Sequence, residues 1–123
     1  MPHILLIDDD KPFRAMLEQM LAEDGHQVTT AGDGDEGLRL ASTCKPDLIV
    51  TDILMPHTDG IQTIVALNRS GSHTPIIAMS GGRRIISADF NLESATLVGV
   101  RATLPKPFAR ADLRRAIETA LKP

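Results

Sequence analysis

Four apolar runs in this chain end on residues that carry chemistry. His3–Ile7 (HILLI) stops at Asp8-Asp9-Asp10. Leu48–Val50 leads into Thr51-Asp52, and Thr74–Met79 ends at Ser80-Gly81-Gly82. Leu104-Pro105-Lys106-Pro107-Phe108 closes the series. Between the runs the hydrophobic spacing changes to that of a helix. Phe13, Met16, Leu17, Met20 and Leu21 recur at i, i+3, i+4, i+7 and i+8, which predicts an amphipathic helix over Lys11–Glu23. Asp10 is placed to cap it, Pro12 suits its first turn, and Gly25 is placed to stop it. Short, continuously apolar strands that alternate with helices belong to a parallel sheet covered on both faces.

The alternation continues to the end of the chain. Gln27–Ala31 reads as a second strand with Gly32-Asp33-Gly34 as its turn, and Asp35–Ser42 as a helix with Leu38 and Ala41 inward. Asp47–Asp52 is the third strand, and Gly60–Asn68 the next helix after a turn-rich MPHTDG. Pro75–Ser80 is the fourth strand, and Ala102–Leu104 a short fifth. Arg110–Leu121 is a final helix with Leu113, Ala116, Ile117, Ala120 and Leu121 on one face. The stretch from Gly81 to Gly99 is expected to hold one more helix between Ser87 and Leu97. With 123 residues and no repeat or linker, the chain reads as a single domain over 1–123.

Composition narrows the function. A net charge of -3 supplies no electrostatic footprint for nucleic acid or an anionic membrane. No apolar run approaches the roughly 20 residues needed to span a bilayer. Cys44 is the sole cysteine, so an internal disulfide is excluded, and with no secretory pattern at the N-terminus the expected setting is the cytoplasm. Three Phe, with no Trp or Tyr, leave the core to aliphatic side chains.

In a parallel sheet all strands point one way, so Asp8, Asp9, Asp52, Ser80 and Lys106 converge on one edge, where such sheets bind ligands. Crowded carboxylates repel unless a cation neutralises them, and Mg²⁺ suits an oxygen-rich site completed by water and phosphate. An aspartate at the buried end of a strand is costly without a partner, so helix capping accounts for Asp10 but not for Asp8. Asp52 is either a third metal ligand or a nucleophile that forms an aspartyl-phosphate. Lys106 and Ser80 then hold phosphoryl oxygens. Taken singly, Ser80 is a turn serine and Lys106 a solvated lysine; their joint position at two strand ends argues otherwise.

The set resembles the receiver domain of bacterial two-component response regulators. The likeness rests on ILLIDDD at 4–10, DLIVTDILMPHTDG at 47–60, PIIAMSGG at 75–82 and LPKPF at 104–108, in order and over essentially the whole chain. It implies a flavodoxin-like (βα)5 fold of the α/β class, with a doubly wound five-stranded parallel sheet of order 2-1-3-4-5. It implies that Asp52 accepts phosphoryl from a histidine kinase or phosphotransfer protein. It implies Mg²⁺ (or Mn²⁺) on Asp8, Asp9, Asp52 and the backbone carbonyl of Leu54, with Ser80 as switch hydroxyl and Lys106 on the phosphate. A cis Lys106–Pro107 bond, an output protein or domain as partner, and pairing as a homodimer are further implications.

Departures accompany the likeness. Thr103 stands where many receivers carry Tyr or Phe, and the interval from Ser80 to Lys106 is long and holds Arg83-Arg84. Leu54 and Gly82 occupy positions that tune phosphoryl lifetime, and neither orients a water, so accelerated self-dephosphorylation is not expected. Arg83-Arg84 with Arg101 read as solvated loop arginines rather than a basic patch, and His57 as exposed. Two other functions remain to be weighed: a degenerate receiver that only binds protein, and a haloacid-dehalogenase-type phosphatase with Asp8 as nucleophile. The phosphatase reading lacks a later acidic pair and leaves Asp52 unexplained. An output module has no room in 123 residues, so the chain is expected to be a stand-alone receiver or a portion of a longer protein.

Overall fold

The computed structural model describes residues 2–53, 60–69, 73–80 and 100–122. Its elements are β1 (His3–Ile7), α1 (Lys11–Glu23), β2 (Gln27–Ala31), α2 (Gly34–Cys44) and β3 (Leu48–Asp52). They continue with α3 (Gly60–Arg69), β4 (Ile76–Ser80), β5 (Val100–Pro105) and α4 (Arg110–Leu121). The five strands form one sheet, every pair parallel, in the order β2-β1-β3-β4-β5. This is the doubly wound order that the sequence resemblance implied. The interval 81–99, where a further helix was expected, lies outside the described residues.

Strand alternation divides the core. Ile4, Leu6, Leu48, Val50, Ile77 and Met79 face α1 and α4, where Leu17, Leu21, Leu113 and Ile117 meet them. Leu5, Ile7, Ile49, Ile76 and Ala78 face the other way, onto Ile64 and Leu67 of α3 with Leu38 and Ala41 of α2. Both side-chain sets of β1, β3 and β4 are therefore buried, which is why these strands read as unbroken apolar runs.

Local signals set the helix ends. Asp10 Oδ1 accepts from the Phe13 amide at 3.2 Å, and Asp33 Oδ1 from the Glu36 amide at 2.8 Å. The Ala109 amide donates to Asp112 Oδ2 at 2.9 Å to open α4. Gly25, with φ 91, turns the chain after α1. Gly37 is glycine for a packing reason: a Cβ there would lie 2.4 Å from Ile7 Cδ1.

Some expectations change. Met16, assigned to the inner face of α1, is 48% exposed. It sits about 100° around the helix from Leu17, outside the arc that reaches the sheet. β5 is longer than the predicted Ala102–Leu104, because it carries an irregularity: Ile76 pairs with Val100 but Ile77 with Ala102. The extra residue is Arg101, whose Nη1 donates to the carbonyls of Ala120 (3.2 Å) and Lys122 (3.1 Å) at the end of α4. Arg101 thus belongs to a strand and caps a helix. Arg83 and Arg84, its expected neighbours in a basic patch, lie outside the described residues, as does His57.

Candidate functional site

β1 and β3 are neighbours at the point where the sheet order reverses, so their C-terminal ends open a crevice. Asp8 follows β1 and Asp52 ends β3; both are buried, at 0% and 5% exposure. Asp8, Asp9 and Asp52 each present a carboxylate oxygen such that all three atoms lie within 4.8 Å of one another. Lys106, just past β5, reaches between them. Its Nζ donates to Asp8 Oδ2 and to Asp52 Oδ2, each at 2.9 Å. Its backbone amide donates to the Ser80 carbonyl at 2.7 Å, which ties the ends of β4 and β5 together. The Lys106–Pro107 peptide is cis.

Further contacts fix the acidic loop. Asp8 Oδ1 accepts from the Asp10 amide at 2.9 Å, and the Asp8 carbonyl accepts from Arg14 Nη1 at 2.8 Å. Burial pushes the Asp8 carboxyl above its usual range, although the Lys106 ammonium and the Asp10 amide oppose the shift. Burial also pulls on Lys106, downward. Its hydrogen bonds and proximity to Asp8 and Asp52 outweigh that, and the ammonium is held above the ordinary lysine range.

The donor set fits a hard divalent cation. Among the described residues, three carboxylates when ionised outnumber the Lys106 ammonium that bridges two of them. Ser80 is fully buried, yet among the described residues its Oγ has no hydrogen-bond partner. A buried hydroxyl without a partner is costly.

Asp8, Asp9, Asp52 and Lys106 are therefore brought together, with Ser80 joined through the backbone of Lys106. Leu54 and Gly82 lie outside the described residues. Thr103 lines a groove of about 460 Å³ between β5 and α4, together with Phe108, Ala116 and Thr119. Sequence reasoning missed Arg14 and the ring of Phe13, over which Lys106 Nζ stands 4.1 Å from the centroid. Phe13 carried only a core-packing signal, and nothing local marks a contact with a residue so far along the chain.

The model of the response regulator receiver domain matches residues 4–118. The chain is 36% identical over 121 residues to the transcriptional regulatory protein PrrA of Mycobacterium tuberculosis, an alignment that covers 98% of this chain and 50% of that protein. It is 32% identical over 119 residues to the response regulator MprA of Mycobacterium leprae, covering 97% of this chain and 50% of the relative. Among solved structures, a response regulator receiver domain protein from Clostridium thermocellum superposes with a TM-score of 0.88 at 29% identity, covering 98% and 94% of the two chains. The chemotaxis protein CheY4 of Vibrio cholerae does so with a TM-score of 0.87 at 28% identity, covering 98% and 99%. The chain belongs to the response regulator receiver domain family and is thereby a component of two-component signalling. It spans about half the length of the curated relatives it matches.

Proposed function

We propose that the chain is a phosphorylation-controlled switch in which Asp52 is the phosphoacceptor. The observation that carries this reading is the Lys106 ammonium bonded at 2.9 Å to both Asp8 and Asp52 beside an acidic trio. A phosphoryl group on Asp52 would meet a cation already held within reach. The donor is a phosphohistidine on a kinase or phosphotransfer protein. An Asp52 carboxylate oxygen attacks phosphorus, the P–N bond breaks, and the imidazole leaves and takes its proton from solvent. Lys106 turns from the carboxylate to a phosphoryl oxygen, and the Ser80 hydroxyl donates to another. Asp8 and Asp9, with Asp52 and the Leu54 carbonyl, would hold Mg²⁺ or Mn²⁺. That ion, when bound, neutralises charge that builds on the transferring group.

A phosphorylated aspartate adds charge and acceptor oxygens, and Ser80 drawn toward them carries the backbone that follows β4. An output protein or domain reads the altered surface. We take residues 1–123 as one receiver unit at work in the cytoplasm. Among the described residues no helix is long and apolar enough to cross a membrane. The chain consumes one donor per cycle rather than turning over a substrate pool. The phosphatase alternative would use Asp8 and Asp10 as an Asp-x-Asp pair, and it loses support because the Asp10 side chain caps α1. The intact acidic, hydroxyl and lysine set weighs against a degenerate binding module.

Intact mass after incubation with acetyl phosphate and Mg²⁺ tests the reading. Wild type should gain one phosphoryl group and Asp52→Asn none. No gain in either protein, with acetyl phosphate or with a phosphohistidine donor, would refute it.

A further inference from the structure

Lys106 has a third neighbour besides its two carboxylates. An ammonium has three N–H donors, and Asp8 and Asp52 take two of them. On another side lies the face of Phe13, with Nζ 4.1 Å from the ring centroid. The ring face is the negative part of the aromatic quadrupole, and it attracts a cation most where water is thin. The Lys106 side chain is only 16% exposed. Phe108 meets Phe13 nearly perpendicularly, with centroids 5.8 Å apart and planes at 87°, and so fixes the plane of the ring. Two of the three Phe in a chain with no Trp or Tyr thus stand around one lysine.

We infer that Phe13 is a positioning residue for Lys106: its ring holds the ammonium against Asp8 and Asp52, and so aims it at the phosphoryl group. Neither the phosphoacceptor chemistry nor the family match assigns this residue a role. The ring is anchored to the same loop as the acidic residues. The Phe13 amide donates to Asp10, and the Asp10 amide donates to Asp8. A shift of the acidic loop therefore carries the ring with it, and lysine and carboxylates stay in register. Without the ring, a long side chain with four rotatable bonds regains a path toward solvent. The inference rests on the proposed phosphoacceptor function for its consequence, but not for its geometry.

Phe13 also packs against the core, so the test must separate ring face from apolar bulk. Phe13→Leu keeps the bulk and removes the face; Phe13→Tyr keeps the face. The first readout is the NMR shift of the Lys106 ε-methylene in unphosphorylated wild type. The ring current should move it upfield of the other lysines, and the shift should vanish in Phe13→Leu and return in Phe13→Tyr. The second is the rate of phosphoryl uptake from acetyl phosphate with Mg²⁺. In Phe13→Leu the limiting rate should fall about fivefold at unchanged half-saturation, as expected for loss of a cation–π contact of ordinary strength. Phe13→Tyr should restore it. An unshifted Lys106 resonance in wild type overturns the inference even if phosphorylation proceeds. So does a normal rate in a folded Phe13→Leu. If wild type takes up no phosphoryl at all, the proposed function fails while the resonance still decides the position of the lysine.

Discussion

Lys106→Met removes the ammonium that bridges two buried carboxylates, and its cost can be worked from the geometry. Met retains much of the aliphatic stem but loses both 2.9 Å charge-assisted hydrogen bonds. Such bonds contribute about 1.5–3 kcal/mol each, and breaking a buried ion pair costs about 3–5 kcal/mol. Both bonds share one ammonium that keeps 16% exposure, so the lower end applies, about 3 kcal/mol. With a urea slope near 2 kcal/mol/M, the unfolding midpoint should drop by about 1.5 M in EDTA at neutral pH. The pH dependence has a definite sign. The folded-state pKa of Asp8 lies above its ordinary 3.8, so the folded state gains from its proton at low pH and loses that gain as pH rises through the folded value. Loss of the ammonium, which opposes this shift, raises that pKa further. The deficit should therefore shrink as pH falls and Asp8 takes up its proton, because a neutral carboxyl needs no cationic partner. Mg²⁺ should also recover part of it at neutral pH. A midpoint in EDTA within about 0.3 M of wild type would refute the reasoning, since it would mean that the lysine is effectively solvated.

Three further outcomes follow from other parts of the molecule. Asp24 at the end of α1 is bonded by Arg114 at 2.8 and 3.0 Å and by Arg110 at 3.2 Å. Chiefly because of Arg114, its pKa is lowered from 3.8 to about 2. Its contribution to stability is thus complete above 3.8 and disappears as pH falls toward 2. Urea midpoints across that window should fall less steeply in Asp24→Asn than in wild type. Gly37→Ala should destabilise by about 1–2 kcal/mol in thermal melts despite the better helix propensity of Ala, because its Cβ meets Ile7. Ile7→Val, which removes the atom 2.4 Å away, should cost less in that background than in wild type. Ser80→Ala deletes a buried hydroxyl without a partner among the described residues and should leave the urea midpoint unchanged or raise it by up to about 1 kcal/mol equivalent. The same variant should blunt the NMR shift changes that acetyl phosphate induces beyond Asp52.

What could be read from the sequence was whatever leaves a local signature. The bounds of β1 and α1 follow from an apolar run, the Asp10 cap and Pro12, and they coincide with the observed His3–Ile7 and Lys11–Glu23. The convergence of Asp8, Asp9, Asp52 and Lys106 was legible because parallel strands share a C-terminal edge. The strand order was not legible from the patterns and came only with the family resemblance. α2 begins one residue earlier and ends two later than predicted, because Asp33, read as a turn residue, is its N-cap. Contacts between distant residues stayed hidden. Arg101 to the end of α4, Arg110 and Arg114 to Asp24, and Lys106 to Phe13 are each set by tertiary packing. Exposed Met16 shows the same limit: helical periodicity reports a face, but only the neighbouring sheet decides how wide an arc of it is buried.

The central claim is that Asp52 carries the phosphoryl group, and chemical trapping tests it at a single atom. Borohydride reduces an acyl phosphate to the alcohol, so a phosphorylated aspartate becomes homoserine. After acetyl phosphate and Mg²⁺, tandem mass spectrometry of the borohydride-treated protein should place homoserine at position 52 and nowhere else, and EDTA should abolish it. Homoserine at position 8 or 9 would contradict the account, as would labelling at 52 that is indifferent to EDTA.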